Sequence, residues 1–187
     1  MGALNTKFHG MSFKETAPLS PQACAPITAP MSKSLKRVRA LLEAADITAQ
    51  VLEMPGETRT AADAAREAGC ALDQIAKSII FRGETTDTCF LFITAGGHQV
   101  DPAKATRLAG EPLGRSDAAF VRAKTGYAIG GVAPIGHKEP GPAFFDPRLL
   151  IFDQVFAAAG TPRHIFCISP RTLLTLSGAK EAAFVSI

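Results

Sequence analysis

Helix starts answered at short range by stop glycines set the scale of this fold. Thr60 precedes Ala61-Ala62-Asp63 and Gly69 closes that segment; Asp101-Pro102 opens a helix that ends near Gly110. Ser116-Asp117 opens one that ends at Gly126, and Ser169-Pro170 one that stops at Gly178. Ser, Thr and Asp accept the free amides of a first turn, proline is preorganised at the first helical position, and glycine takes the left-handed position past the end. An earlier helix, capped by Ser32 or Ser34, carries Leu35, Val38, Leu41, Leu42 and Ala45 at spacings of three and four until Asp46 ends it. Short apolar runs at 48–53, 77–82, 88–94, 143–145, 154–158, 164–168 and 183–187 read as strands, with a helical turn at 72–75 and a hairpin turn at 83–87. Elements this short do not build the long βαβ repeats of a doubly wound sheet. The expected fold is therefore α+β: a single domain whose mixed, mostly antiparallel sheet curls toward a barrel, flanked by short helices.

One strand is chemically odd. Ile75-Ala76-Lys77-Ser78-Ile79-Ile80-Phe81 places a lysine inside an apolar run, where an ammonium group costs free energy unless something anionic meets it. Either the stem packs while the amine reaches water, or Lys77 is a fixed cation aimed at developing negative charge. A nucleophilic role needs a depressed pKa, which no visible neighbour clearly supplies. Ser78 points to the opposite face of a regular strand and is expected to share the site only if the strand is irregular.

A second oddity is the loop Gly130-Gly131-Val132-Ala133-Pro134-Ile135-Gly136-His137. It lacks the GKS ending of a phosphate loop and does not fit GxGxxG. It is either a tight turn or a place where a carbonyl or ribose approaches bare amides. The turn Gly160-Thr161-Pro162-Arg163-His164 leads into a strand with a histidine at its head, structural or a polar contact. No Ser-His-Asp or Cys-His arrangement is assignable.

Composition narrows the classes. At 187 residues with 47% hydrophobic and 20% charged, the chain has the make-up of one globular domain. A net charge of +3 permits nucleic-acid contact but is far below that of a nonspecific binder. The basic face Lys33, Lys36, Arg37 and Arg39 on the first helix is either solvated or a docking surface for nucleic-acid backbone. Cys24, Cys70, Cys89 and Cys167 form no metal-ligand spacing, so core thiols in a reduced, cytoplasmic protein are expected, with no metal. No run approaches the roughly 20 apolar residues of a membrane span. Residues 1–30, with four prolines from Pro18 to Pro30, read as a flexible leader, leaving 31–187 as the domain and Met31 as an alternative start.

The ordered set Thr58-Arg59-Thr60-Ala61-Ala62-Asp63-Ala64-Ala65, Gln74-Ile75-Ala76-Lys77-Ser78-Ile79-Ile80-Phe81, Val100-Asp101, the 130–137 loop, the 160–164 turn and Leu173-Leu174-Thr175-Leu176-Ser177-Gly178-Ala179 is specific. It resembles the YbaK/ProX family of aminoacyl-tRNA deacylases, related to the editing insertion domain of bacterial prolyl-tRNA synthetases. The resemblance implies a mixed sheet curled toward a barrel and hydrolysis of mischarged aminoacyl-tRNA, commonly tRNA for proline carrying a small non-cognate amino acid. It puts the family's strand lysine on Lys77, its glycine loop on Gly130 and Gly131, and its later turn on Gly160 and His164. Ser78, Pro134, Gly136 and His137 complete the expected substrate-binding set. Ser78 stands where some relatives carry asparagine. No cofactor is implied; a prolyl-tRNA synthetase is a candidate partner, and this chain is expected as a monomer or a homodimer. The alternative is a noncatalytic tRNA- or nucleotide-binding module on the same fold.

Overall fold

A computed structural model describes residues 31–55 and 60–186. The leader 1–30, with Cys24, Thr58-Arg59 of the first motif, and Ile187 at the end of the expected last strand lie outside the described residues.

Local signals act as their chemistry requires. Ser32 Oγ accepts the Leu35 amide and starts α1 (Lys33–Ala44); Thr60 Oγ1 accepts the Asp63 amide and starts α2 (Ala61–Ala68). Asp101 and Asp117 cap α3 (Pro102–Ala109) and α4 (Ala118–Thr125) through the amides of Lys104 and Phe120, and Ser169-Pro170 begins α5 (Pro170–Ser177). Gly69, Gly110, Gly126 and Gly178 follow the last residues of α2 to α5. In α1 the buried stripe is Leu35, Val38 and Leu42; Leu41 and Ala45 stay exposed on its rim.

The strands are β1 (Val51–Glu53), β2 (Ile75–Gly83), β3 (Cys89–Ala95), β4 (Gln99–Val100), β5 (Leu113–Arg115), β6 (Ala143–Phe145), β7 (Val155–Thr161), β8 (His164–Ile168), β9 (Lys180–Glu181) and β10 (Val185–Ser186). Eight of them form one open sheet in the order β1-β8-β7-β2-β3-β6-β9, with β5 also paired to β2. Pairs β1–β8, β7–β8, β2–β3 and β2–β5 are antiparallel; β2–β7, β3–β6 and β6–β9 are parallel. The sheet is mixed and mostly antiparallel, and does not close into a barrel. The tail does not extend it: β10 pairs with β4 in a separate two-stranded ribbon.

Both faces are covered. Leu35, Val38 and Leu42 of α1 pack with Leu91, Ile93, Phe145, Val155 and Phe166. Against the other face a phenylalanine cluster forms around Phe92, stacked on Phe144 with centroids 5.1 Å apart and edge-on to Phe184 at 5.0 Å. Phenylalanine does here the filling that tryptophan and tyrosine do elsewhere, and β3 between the two clusters is buried along its whole length.

Candidate active site

The sheet comes apart at one place. Along one edge β2 pairs with β7 only at Ile75↔Phe156 and Ala76↔Ala157, and with β5 only from Phe81 onward. Between them the edge of residues 77–80 has no strand partner on that side among the described residues. The register of β7 against β8 shifts between Ala158 and Thr161, and Gly160 there holds φ +89°. That irregularity turns β7 away from β2. A cavity of about 340 Å³ fills the gap, floored by Ile75, Phe156 and Ala157 and reached by the N-terminal turn of α2 at Thr60 and Ala61.

This cavity joins segments distant in sequence. Lys77 and Ser78 come from β2, Gly130 from the loop after α4, Thr161 and Pro162 from the turn after β7, and His164 from β8. The register of β2 on β3 is unbroken from Ala76↔Ala95 to Arg82↔Cys89, so Lys77 and Ser78 do face opposite ways. Both still line the cavity, because it opens on the edge of the strand rather than on one face.

Lys77 is half-buried and donates from Nζ to the His98 carbonyl at 2.5 Å. Burial pushes its pKa below the ordinary lysine value, and the carboxylates of Asp146 and Asp73 act in the opposite sense. An ammonium has three N–H donors, so one anchors the group and two are left for a ligand. His164 Nδ1 lies 2.6 Å from Thr161 Oγ1, while its buried Nε2 has no partner among the described residues. Desolvation lowers the His164 pKa, with opposing help from Glu53, and favours the neutral imidazole.

The two loop glycines act differently. Gly130 is exposed at the cavity with φ +85°, a conformation that side chains disfavour. Gly131 is buried, and a Cβ there would stand 2.4 Å from the Thr161 carbonyl carbon. It lets the loop rest directly on the 161–162 turn. Gly160 is set against α1, where a Cβ would come 2.9 Å from the backbone of Ser34.

Val132 still lines this cavity, but the far end of the glycine loop lies elsewhere. Pro134, Gly136 and His137 line a separate cavity of about 220 Å³. His137 Nε2 donates to the Ala133 carbonyl at 2.8 Å, and its ring packs edge-on against Tyr127. Burial depresses its pKa. Tyr127, fully buried, donates its hydroxyl to the Ile135 carbonyl at 2.8 Å and ties the loop down.

On α1, Lys33 and Lys36 are exposed, Arg39 is half-buried, and Arg37 turns inward. Arg37 donates to the carbonyls of Thr125 (3.1 Å) and Gly136 (3.2 Å) and lies over the Tyr127 ring. Cys89 is core, and burial raises its thiol pKa to about 11; Cys70 is raised to about 11 as well. Among the described residues no group of three or more His, Cys, Asp or Glu is placed to hold a metal ion, and no helix is long and apolar enough to cross a membrane. Sequence reading did not single out Ile129, Thr161 or Pro162 as lining residues. Thr161 and Pro162 were within reach, since they share the turn that carries His164.

Residues 55–176 match the aminoacyl-tRNA editing domain. The chain belongs to that family. It is 32% identical over 147 residues to the uncharacterized protein YwhH of Bacillus subtilis (strain 168), covering 79% of this chain and 93% of YwhH. A crystal structure of a candidate trans-editing enzyme for prolyl tRNA synthetase superposes with a TM-score of 0.78 at 43% identity, over 84% of this chain and all of that one. The hypothetical protein APE2540 superposes with a TM-score of 0.74 at 27% identity, over 80% of this chain and 99% of its own. The matched region of the editing domain contains the whole lining of the cavity between β2 and β7.

Proposed function

We propose that this protein is a freestanding deacylase acting in trans on mischarged aminoacyl-tRNA, with tRNA(Pro) carrying a small non-cognate amino acid as its substrate and a prolyl-tRNA synthetase as its working partner. The observation that carries the reading is the single cavity that unites Lys77, Gly130 and His164 at the parting of β2 and β7. Its volume of about 340 Å³ is near the small end for ligand sites and suits an aminoacyl group better than a whole nucleotide.

An aminoacyl ester is already activated, so the site has to orient it, stabilise charge and admit water. Water adds to the ester carbonyl, and the tetrahedral intermediate then expels the ribose hydroxyl. The proton from water goes to the leaving oxygen, and the products are a free amino acid and uncharged tRNA. Lys77 serves as a fixed cation through its two uncommitted N–H donors, toward the oxyanion or the terminal phosphate. Gly130 lets the ester approach the loop backbone. Neutral His164 offers a polar contact through Nε2. A cysteinyl ester can instead be attacked by its own thiol, so no protein nucleophile is needed.

The test is a panel of tRNA(Pro) charged in turn with alanine, cysteine, serine, threonine and proline. Release of at least one non-cognate amino acid is expected, with proline spared. Lys77→Ala should lower the rate on the order of 10²-fold or more while leaving the circular dichroism spectrum unchanged. Full activity of Lys77→Ala would remove it from the mechanism. Salt-dependent tRNA binding without release from any substrate would favour the noncatalytic module.

A further inference from the structure

The Lys77 ammonium is held from behind by a built assembly. Its acceptor, the His98 carbonyl, belongs to the tight turn between β3 and β4, closed by the His98 amide donating to the Ala95 carbonyl at 3.0 Å. That turn is pinned on one side: the Gly97 amide donates to Asp73 Oδ1 at 3.1 Å, and Asp73 in turn pairs with Arg148 Nε at 3.0 Å. A Cβ at Gly96 would stand 2.0 Å from the Leu72 carbonyl oxygen, so the turn is seated against the 3-10 turn before β2 with no room to shift. On the other side Asp146, 2% exposed, takes His98 Nδ1 on Oδ2 at 2.6 Å.

Asp146 already accepts the Ala95 amide on Oδ2 (3.1 Å) and the Arg148 amide on Oδ1 (3.0 Å). Those two bonds account for its structural work, ending β3 and capping the 3-10 turn Pro147–Ile151. The bond to the imidazole is extra to them. Burial of a carboxylate requires such donors, but capping alone does not require that one come from the residue whose carbonyl holds Lys77.

We propose that His98 and Asp146 are positioning residues for Lys77: buried Asp146 clamps the His98 ring, and the clamped turn presents the carbonyl that aims the Lys77 ammonium at the cavity. The catalytic part of this inference rests on the deacylase reading above. The structural part does not. A ligand cation is only as well preorganised as the shell that supports it.

The experiment uses the full chain with three variants. His98→Ala removes the ring but leaves the carbonyl; His98→Asn places an amide N–H near the position of Nδ1 and can restore the bond to Asp146; Lys77→Ala supplies the coupling background. The first readout needs no tRNA. In lysine-labelled protein the two Lys77 Hε protons should have distinct NMR shifts in the wild type and in His98→Asn, and should collapse toward one shift in His98→Ala.

The second readout is steady-state deacylation. His98→Ala should lower kcat on the order of 10- to 100-fold with KM little changed, and His98→Asn should recover most of it. In the Lys77→Ala background, His98→Ala should have no further effect. Unchanged Lys77 signals in His98→Ala would overturn the proposal even if the protein proves an active deacylase. So would a loss that persists in full without Lys77. A collapse of the Lys77 signals in a protein that cleaves none of the panel would uphold the positioning assembly and refute only the deacylase reading.

Discussion

Gly131→Ala adds one methyl group where the backbone leaves no space for it. The new Cβ would stand 2.4 Å from the Thr161 carbonyl carbon, 2.6 Å from Thr161 Cα and 2.8 Å from Pro162 N. All three are backbone atoms, so no side chain can rotate aside. Ordinary contact begins at 3.4 Å, which means the 161–162 turn must withdraw by about 1 Å, at a cost of about 1–3 kcal/mol. Thr161 would carry His164 with it, since its hydroxyl lies 2.6 Å from Nδ1. A displacement of that size in a catalytic wall is worth on the order of 10²-fold in rate.

Gly69→Ala supplies the control. Gly69 has φ +65° with nothing within 4 Å of its would-be Cβ, so alanine there costs about 1–2 kcal/mol in backbone strain alone. Urea denaturation should show similar losses for the two variants. Single-turnover deacylation should show a large rate loss only for Gly131→Ala. Wild-type stability and rate in Gly131→Ala would refute the close approach. Equal rate losses in both variants would show that activity follows stability rather than the geometry of the wall.

Further outcomes follow from the same contacts. Burial holds His137 and His164 below the ordinary value of 6.5; the unfolded chain then binds more protons, so their stabilisation is complete above pH 6.5 and is lost as pH falls through the folded values. Denaturation midpoints should drop between pH 7.5 and 5, and less steeply in His137→Gln; a flat profile contradicts the burial. Thr94, fully buried opposite Lys77, has a hydroxyl with no partner among the described residues, so Thr94→Val should be neutral or stabilising by up to about 1 kcal/mol, read by denaturation; a loss above that would contradict an unpartnered hydroxyl. On α1, Lys33→Glu with Lys36→Glu should weaken tRNA binding and flatten its salt dependence, with stability within about 0.5 kcal/mol of wild type. Arg37→Ala should instead cost about 2–3 kcal/mol, and unchanged tRNA affinity in the double lysine variant would remove this face as the docking surface.

Local chemistry and long-range placement divide cleanly in this chain. Helix limits, the β2–β3 hairpin and the odd character of Lys77 were legible because each depends on neighbours a few residues away: a cap oxygen, a stop glycine, an alternation of two. The ordered motifs carried the family for the same reason, being strings of adjacent residues. The two-residue strands β4 and β9, the pairing of β5 with β2 and the diversion of β10 onto β4 were not legible. Strands that short owe their existence to a partner far along the chain.

The site shows the same boundary. Strand alternation alone put Ser78 on the face opposite Lys77, so only the family resemblance placed it at the site, and adjacency made the whole 130–137 loop look like one functional unit. Folding admits Ser78 because the β2 edge is left open, and splits the loop after Val132, so that Pro134, Gly136 and His137 line a separate cavity. Likewise Arg37 is indistinguishable from Lys36 as a residue on a basic helix face until the carbonyls of Thr125 and Gly136 close around it. Which charges are free and which are committed depends on contacts between segments far apart in the chain, 88 and 99 residues for the two Arg37 bonds, and only the packed chain makes those.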